Sequence, residues 1–418
     1  MIHLASRVPD PAVRRLTATL YGYAFLSDLV LLYPLYVVFF ADTGLSVGQI
    51  SSLFVIWSAA GILFEVPSGA WADVVSRRLL LCLAPLVTAA GFALWVLLPS
   101  YPAFAVGFLL WGAGGALVSG ALEALVWTEL DRLGAVGRYA RVLGRARTAG
   151  VLGVVVSGVL AGPVLAVGGY PAVGAASVLA CLLATIVAAR FPEHRPPADA
   201  STPTPDDEGD LGWCDTLRAG VTQVRTRPPV RSAVLLVAVV AADWGALDEY
   251  SPLLALDTGV RAEVVPLLLL LLWAGVTVGG LLAGVGERLG RRGYAALLGV
   301  VGVGLAGGAL TGRPAGFVLL ALGFGAAQLA TVLADARLQA RITGNSRATV
   351  TSLAGMATDL LIIATYAGYG LLATVVENAV AFAVTAGPYL VLGLVLLTRR
   401  RPTVVPASST AAAAHGPR

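Results

Sequence analysis

Glu65-Val66-Pro67-Ser68-Gly69-Ala70-Trp71-Ala72-Asp73-Val74-Val75-Ser76-Arg77-Arg78 is a polar joint between two long apolar runs. A bilayer core takes about 20 apolar residues per helix, so the joint reads as the turn between two membrane spans. Gly69 and Asp73 lie one helical turn apart and share a face. Glycine lets a neighbouring helix approach closely. Asp73 stands where a helix N-terminus or a cation could meet it. Glu65, just before the loop, reads as a structural or gating residue rather than a substrate ligand.

The chain on either side of this joint is 57% apolar and 12% charged overall. Soluble globular domains carry about 25% charged residues, so the composition is that of an integral membrane protein. All 28 basic residues are arginine, and the net charge of +4 marks topology rather than nucleic-acid binding. Arg7, Arg14 and Arg15 precede an apolar run too long for a signal-peptide core, which reads as a first span that is retained. Cys82, Cys181 and Cys214 have neither metal-ligand nor disulfide-like spacing, and no metal or cofactor is expected.

Twelve apolar runs follow, at roughly 16–40, 48–72, 79–98, 103–128, 146–167, 172–190, 231–255, 263–285, 293–311, 315–338, 348–373 and 379–398. The expected fold is all-α: a cytoplasmic arm (1–15), a six-helix bundle (16–190), a cytoplasmic linker (191–230), a second six-helix bundle (231–398) and a tail (399–418). With the N-terminus inside, 26 of the 28 arginines fall in inner segments, and only Arg261 and Arg313 fall outside. That bias predicts cytoplasmic termini and a multi-pass protein of the cell membrane. The linker is rich in Pro and acids, with an amphipathic stretch around Leu211–Val224. Glu287, Arg288, Arg291 and Arg292 follow the eighth run as Asp73–Arg78 follow the second, an offset of 214 residues. Asp28 and Asp243, and Glu123 and Asp335, pair at nearly the same offset, which points to two homologous halves.

The joint resembles the signature loop of the major facilitator superfamily of transporters, Gly-x-x-x-Asp-Arg-x-Gly-Arg-Arg, matched here by Gly69, Asp73, Arg77 and Arg78; Val74 and Ser76 depart from it. The fifth run holds Gly158-Val159-Leu160-Ala161-Gly162-Pro163, similar to the Gly-x-x-x-Gly-Pro core of the antiporter signature. Ala149 stands at the place of its first Gly, and ordinary small-residue packing would give the same pattern. The start of the eleventh run, Ser346 to Ser352, also resembles transporters of this type, with Ser346 as N-cap.

No nucleophile elbow, phosphate-binding loop or metal cluster suggests an enzyme, and His3, His194 and His415 lie in the termini or the linker. Acids within hydrocarbon are costly without a role, so they are the functional candidates. Asp28, Asp243 and Asp359 fall midway along spans one, seven and eleven; Glu123 and Asp335 fall in the inner thirds of spans four and ten. In the superfamily that the loop resembles, spans one, four, seven and ten line the central cavity, and all four carry an acid. Tyr21, Tyr250 and Tyr366 each lie seven residues from an acid and share its stripe, as cation-binding aromatic faces or as interfacial anchors. Asp248 and Glu249 lie toward the outer end of span seven.

The resulting expectation is a monomeric, proton-coupled exporter of lipophilic or cationic small molecules. Burial raises carboxyl pKa values, bringing proton exchange toward neutral pH. The alternative is uptake of a neutral solute such as a sugar or nucleoside; a transport-dead sensor or scaffold is a third class. Asp73 is expected to latch the inside-closed state against the start of the eleventh span, with Arg77 and Arg78 screening the same joint.

Overall fold

The computed structural model describes residues 11–194, 213–342 and 347–398, without the side chains of 65–74, 213–217, 219, 220 and 348. Among the described residues all regular structure is helical. The first span is α1 (Pro11–Asp28) and α2 (Tyr36–Asp42); α3 (Val47–Val74) and α4 (Arg77–Leu97) are the second and third. The fourth is α5 (Tyr101–Val118) plus α6 (Ala121–Arg132), and α7 (Tyr139–Ala188) carries the fifth and sixth. The linker contributes α8 (Trp213–Thr226). Then come α9 (Pro228–Asp257), α10 (Val265–Leu281) with α11 (Ala283–Gly286), α12 (Arg291–Leu310), α13 (Gly316–Gln339) and α14 (Arg347–Leu372). The last span is α15 (Asn378–Thr385) and α16 (Gly387–Thr398). Ten helical segments are long and apolar enough to cross a bilayer. One of these is the doubled α7, and α1–α2 supplies a further span, which completes twelve.

The contacts of α7 show that it is two antiparallel arms. Gly150 packs on Asp28, and Ser157 bonds to Val30. Beyond Gly169, Ser177 bonds to Leu32, and Val187 packs back on Gly22. The reversal occurs at Gly169, whose φ of 63° suits a residue without a Cβ. With an even number of spans, the described ends Pro11 and Thr398 lie on one face of the molecule, here the terminal face; the other is the distal face.

The first span is not the continuous helix expected over 16–40. It breaks between Asp28 and Tyr36 because Pro34 has no N–H to return to Val30 and its ring crowds that carbonyl. The freed groups find partners on α7: Ser157 Oγ donates to the Val30 carbonyl at 2.6 Å, and the Leu32 N–H donates to Ser177 Oγ at 3.0 Å. Bilayer hydrocarbon offers no other partner for a broken backbone. The fourth span also breaks, at Ser119–Gly120, where Gly120 adopts φ 74°.

The linker is fastened at both described ends. Glu193 accepts from Ser76 and, at 2.7 Å, from the Arg77 N–H, capping α4. His194 and Arg132 converge on buried Glu129 at 3.0 and 3.1 Å. As the amphipathic pattern predicted, α8 is helical; Val224 packs into the cluster formed by Val230, Ala233, Val350 and Ala354.

Candidate functional site

The two halves meet on the distal side. From α2, Tyr36 donates its hydroxyl to Glu249 Oε2 on α9. From α3, Ser51 Oγ lies 2.8 Å from the Tyr250 hydroxyl, and Phe54 packs on Tyr250 and Tyr366 at ring separations of 5.5 and 5.1 Å. Tyr250 stacks on Tyr369 at 3.6 Å. Gly370 approaches so closely that a Cβ there would sit 2.7 Å from Ser51 Cβ. The fifth-span glycines complete the seal: a Cβ on Gly158 would lie 2.8 Å from Leu270, and one on Gly162 would collide with the Glu263 carbonyl.

On the terminal side of this seam lies a cavity of about 510 Å³ between α3, α5, α9 and α14, within the range of small-molecule sites. Trp57, Ser58, Trp111, Gly245, Glu249 and Asp359 are among its lining residues. The break in the first span aims a ring at this wall. Tyr33 stacks on Trp111 at 5.1 Å, and Trp111 on Trp57 at 4.8 Å, so the two tryptophans line the cavity and Tyr33 backs Trp111. No arginine is among the described lining residues.

Of the five acids singled out in the sequence, Asp359 lines the cavity and the other four do not. Asp28 ends α1, pressed against Gly150 of α7. Asp243 is buried at 8% exposure, accepting from Thr365 Oγ1 at 3.4 Å while its second oxygen has no hydrogen-bond partner among the described residues. Glu123 and Asp335 are exposed. Tyr21 packs in the cluster around Leu16 and Leu20, Tyr250 is buried in the distal seam, and Tyr366, buried beside it, also lines the cavity. Glu249 is the residue to which sequence reasoning assigned no role: it alone is shared by the cavity and the Tyr36 bond of the seam. Its neighbour Asp248 instead faces Trp273 of α10 at 3.4 Å.

The signature loop is only partly visible. Glu65, Gly69 and Asp73 lie in α3, outside the described side chains, and Ser346 lies outside the described residues. Arg77, expected to screen the inter-half joint when the terminal side closes, bonds within its own half in this structure. Its guanidinium turns to α6, donating to the Ala124 carbonyl at 3.2 Å and to Thr128 at 3.0 Å. Arg78, Glu287, Arg288, Arg291 and Arg292 are exposed, and Arg291 reaches the Leu397 carbonyl at 3.5 Å. Pro163 lies inside α7 beside Gly162.

The family model described as Major Facilitator Superfamily matches residues 18–366. The chain belongs to the Major Facilitator Superfamily. As a major facilitator protein it is a multi-pass membrane transporter that binds small-molecule substrates. Among solved structures it is similar to a mutant form of the nucleoside transporter NupG, with TM-score 0.71 and 13% identity over 91% of this chain and 99% of that one. It is also similar to a bacterial homolog of the human lysosomal transporter Spinster, inward-facing and occupied, with TM-score 0.66 and 15% identity over 93% and 95% of the two chains. A third is a D-xylose–proton symporter, with TM-score 0.58 and 16% identity over 92% and 97%. At these identities the likeness concerns the fold. No curated protein matches the sequence.

Proposed function

We propose that this major facilitator protein is a proton-coupled exporter of flat, lipophilic cations, residing in the cell membrane with both termini cytoplasmic and acting as a monomer. The carrying observation is the cavity wall: Trp57 and Trp111, stacked on one another and backed by Tyr33, beside the carboxylates of Glu249 and Asp359, with no arginine among the described lining residues. An aromatic face attracts an organic cation through its quadrupole, and a carboxylate completes the site. The distal seam with the cavity on its terminal side corresponds, in this reading, to the state that takes up substrate from the cytoplasm.

Glu249 is the proposed coupling acid. Opening the distal seam requires separating Glu249 from Tyr36. A proton arriving at Glu249 neutralises the acceptor of that bond and competes with a bound cation for the same carboxylate. One carboxylate that holds either a proton or a cation, but not both, gives exchange.

Uptake of a neutral ring-bearing solute is the second reading; the Trp57–Trp111 face would stack a nucleobase or sugar, and the fold is shared with a nucleoside transporter and a proton symporter. Proteoliposomes with an imposed pH gradient separate the two. Tetraphenylphosphonium moving against the proton gradient, with proton flux on its addition, is the expected result. Nucleoside or sugar accumulation driven with the gradient, indifferent to tetraphenylphosphonium, would overturn it.

A further inference from the structure

A second crevice, of about 670 Å³, lies outside the seam between α9, α12, α13 and α16 near the terminal face. Its walls are apolar: Leu235, Leu236 and Val239 from α9, and Leu392, Val395 and Leu396 from α16. Its rim is basic, formed by Arg291, Arg337 and Arg341. Arg337 is fixed in place, its guanidinium 4.0 Å over the Tyr294 ring and donating to the Leu289 carbonyl at 3.1 Å. Arg341 donates to the Pro229 carbonyl at 3.4 Å. Among the described residues no carboxylate lies within ion-pair distance of Arg337 or Arg341.

We propose that this crevice holds one anionic phospholipid from the leaflet on the terminal side. The anchored guanidinium groups bind the headgroup phosphate, and an acyl chain lies along the leucines and valines of α9 and α16. Three observations converge on that occupant. Arginines offer five fixed N–H donors suited to a phosphate, and each of these two directs a donor to a backbone carbonyl that holds it at the rim. The apolar walls continue inward from the basic rim, matching the order of headgroup and chain. Leu235 and Val395 are 54% and 38% exposed, so the described residues leave those walls uncovered. A basic pocket between spans at the membrane surface is a setting in which anionic headgroups bind. The site is separate from the transport cavity and does not rest on the proposed substrate.

The test is binding of labelled phosphatidylglycerol to the delipidated full-length protein, with phosphatidylcholine, inorganic phosphate and glycerol 3-phosphate as competitors. Arg341→Gln removes an exposed rim charge, and Leu392→Trp fills the crevice without changing charge. Saturable binding of phosphatidylglycerol, resisted by phosphatidylcholine and by both soluble phosphates, is expected. It should weaken about fivefold in Arg341→Gln, the effect of one basic residue near the surface, and vanish in Leu392→Trp. Equal binding of phosphatidylcholine, displacement by inorganic phosphate at millimolar level, or unaltered binding in folded Leu392→Trp would each overturn the proposal. Native melting behaviour of both variants establishes that they are folded.

Discussion

Asp248 and Glu249 are consecutive, so on α9 they point about 100° apart. That single step sends Asp248 to Trp273 within its own half and Glu249 across the seam to Tyr36. Glu249→Gln keeps the shape and the hydrogen bond but removes the exchangeable charge. It should abolish proton-driven transport and weaken, without removing, counterflow of substrate between pre-loaded vesicles, since Asp359 and the tryptophans remain; full pH-driven transport in this variant would remove Glu249 from the coupling role. Asp243 poses a different case, a buried carboxylate with one oxygen unpartnered among the described residues. A buried charge without partners is destabilising, so Asp243→Asn should leave the melting temperature unchanged or raised, and a drop of several degrees would show that the charge has a partner. The sequence singled out the intramembrane acids as candidates, and of the five it favoured Asp359 is at the cavity. It could not rank them, because depth along a helix was counted from the ends of apolar runs. Which face an acid presents depends on where the halves touch, and no single run carries that information.

At the level of elements, Pro34 decides the first span. The apolar run of 16–40 reads as unbroken because hydropathy counts residues and not hydrogen bonds; the proline in its middle was the available signal. Replacing Ser177 by Ala leaves the Leu32 N–H without its partner, at about 1–3 kcal/mol; replacing Ser157 costs less, because the Val30 carbonyl keeps the Tyr33 N–H at 3.1 Å. Thermal unfolding in detergent should show both variants less stable than wild type, and the double variant lower still. The fifth-span glycines behave differently, because they face the other half. Gly162→Val has no space against the Glu263 carbonyl, so the distal seam should part. Cysteines placed on the distal ends of α2 and α9 should then label faster from the distal side, and unchanged labelling in a folded variant would rule out this packing as part of the seal.

The twelve-span architecture was legible from apolar run lengths, and the fold from the run count, the loop after the second span and its echo after the eighth. Orientation rests on the arginines and is open to test with reporters fused at either end. The latch expected at Asp73 belongs to this scale too, since it concerns the closing of the terminal side. A carboxylate facing a helix N-terminus gains about 0.3–1 kcal/mol, enough to bias two access states up to several-fold. Asp73→Asn should therefore increase labelling of a cysteine at Ser58, in the cavity, from the terminal side and slow turnover. Unaltered labelling with normal turnover would leave the loop a topological signal alone.

The serines that complete the broken first span have a consequence for biogenesis. Ser157 and Ser177 belong to the fifth and sixth spans, so the first segment to leave the ribosome is among the last in its half to have its backbone satisfied. Until Ser177 has emerged, the Leu32 N–H faces lipid without its partner or must be shielded by the insertion machinery. A nascent chain stopped after residue 135 should be a substrate for membrane quality-control proteases. One stopped after residue 194 holds both serines, and also His194 and Glu193 with their partners Glu129 and Ser76. It should persist as a folded half, which pulse-chase of the two truncations would reveal as a difference in lifetime.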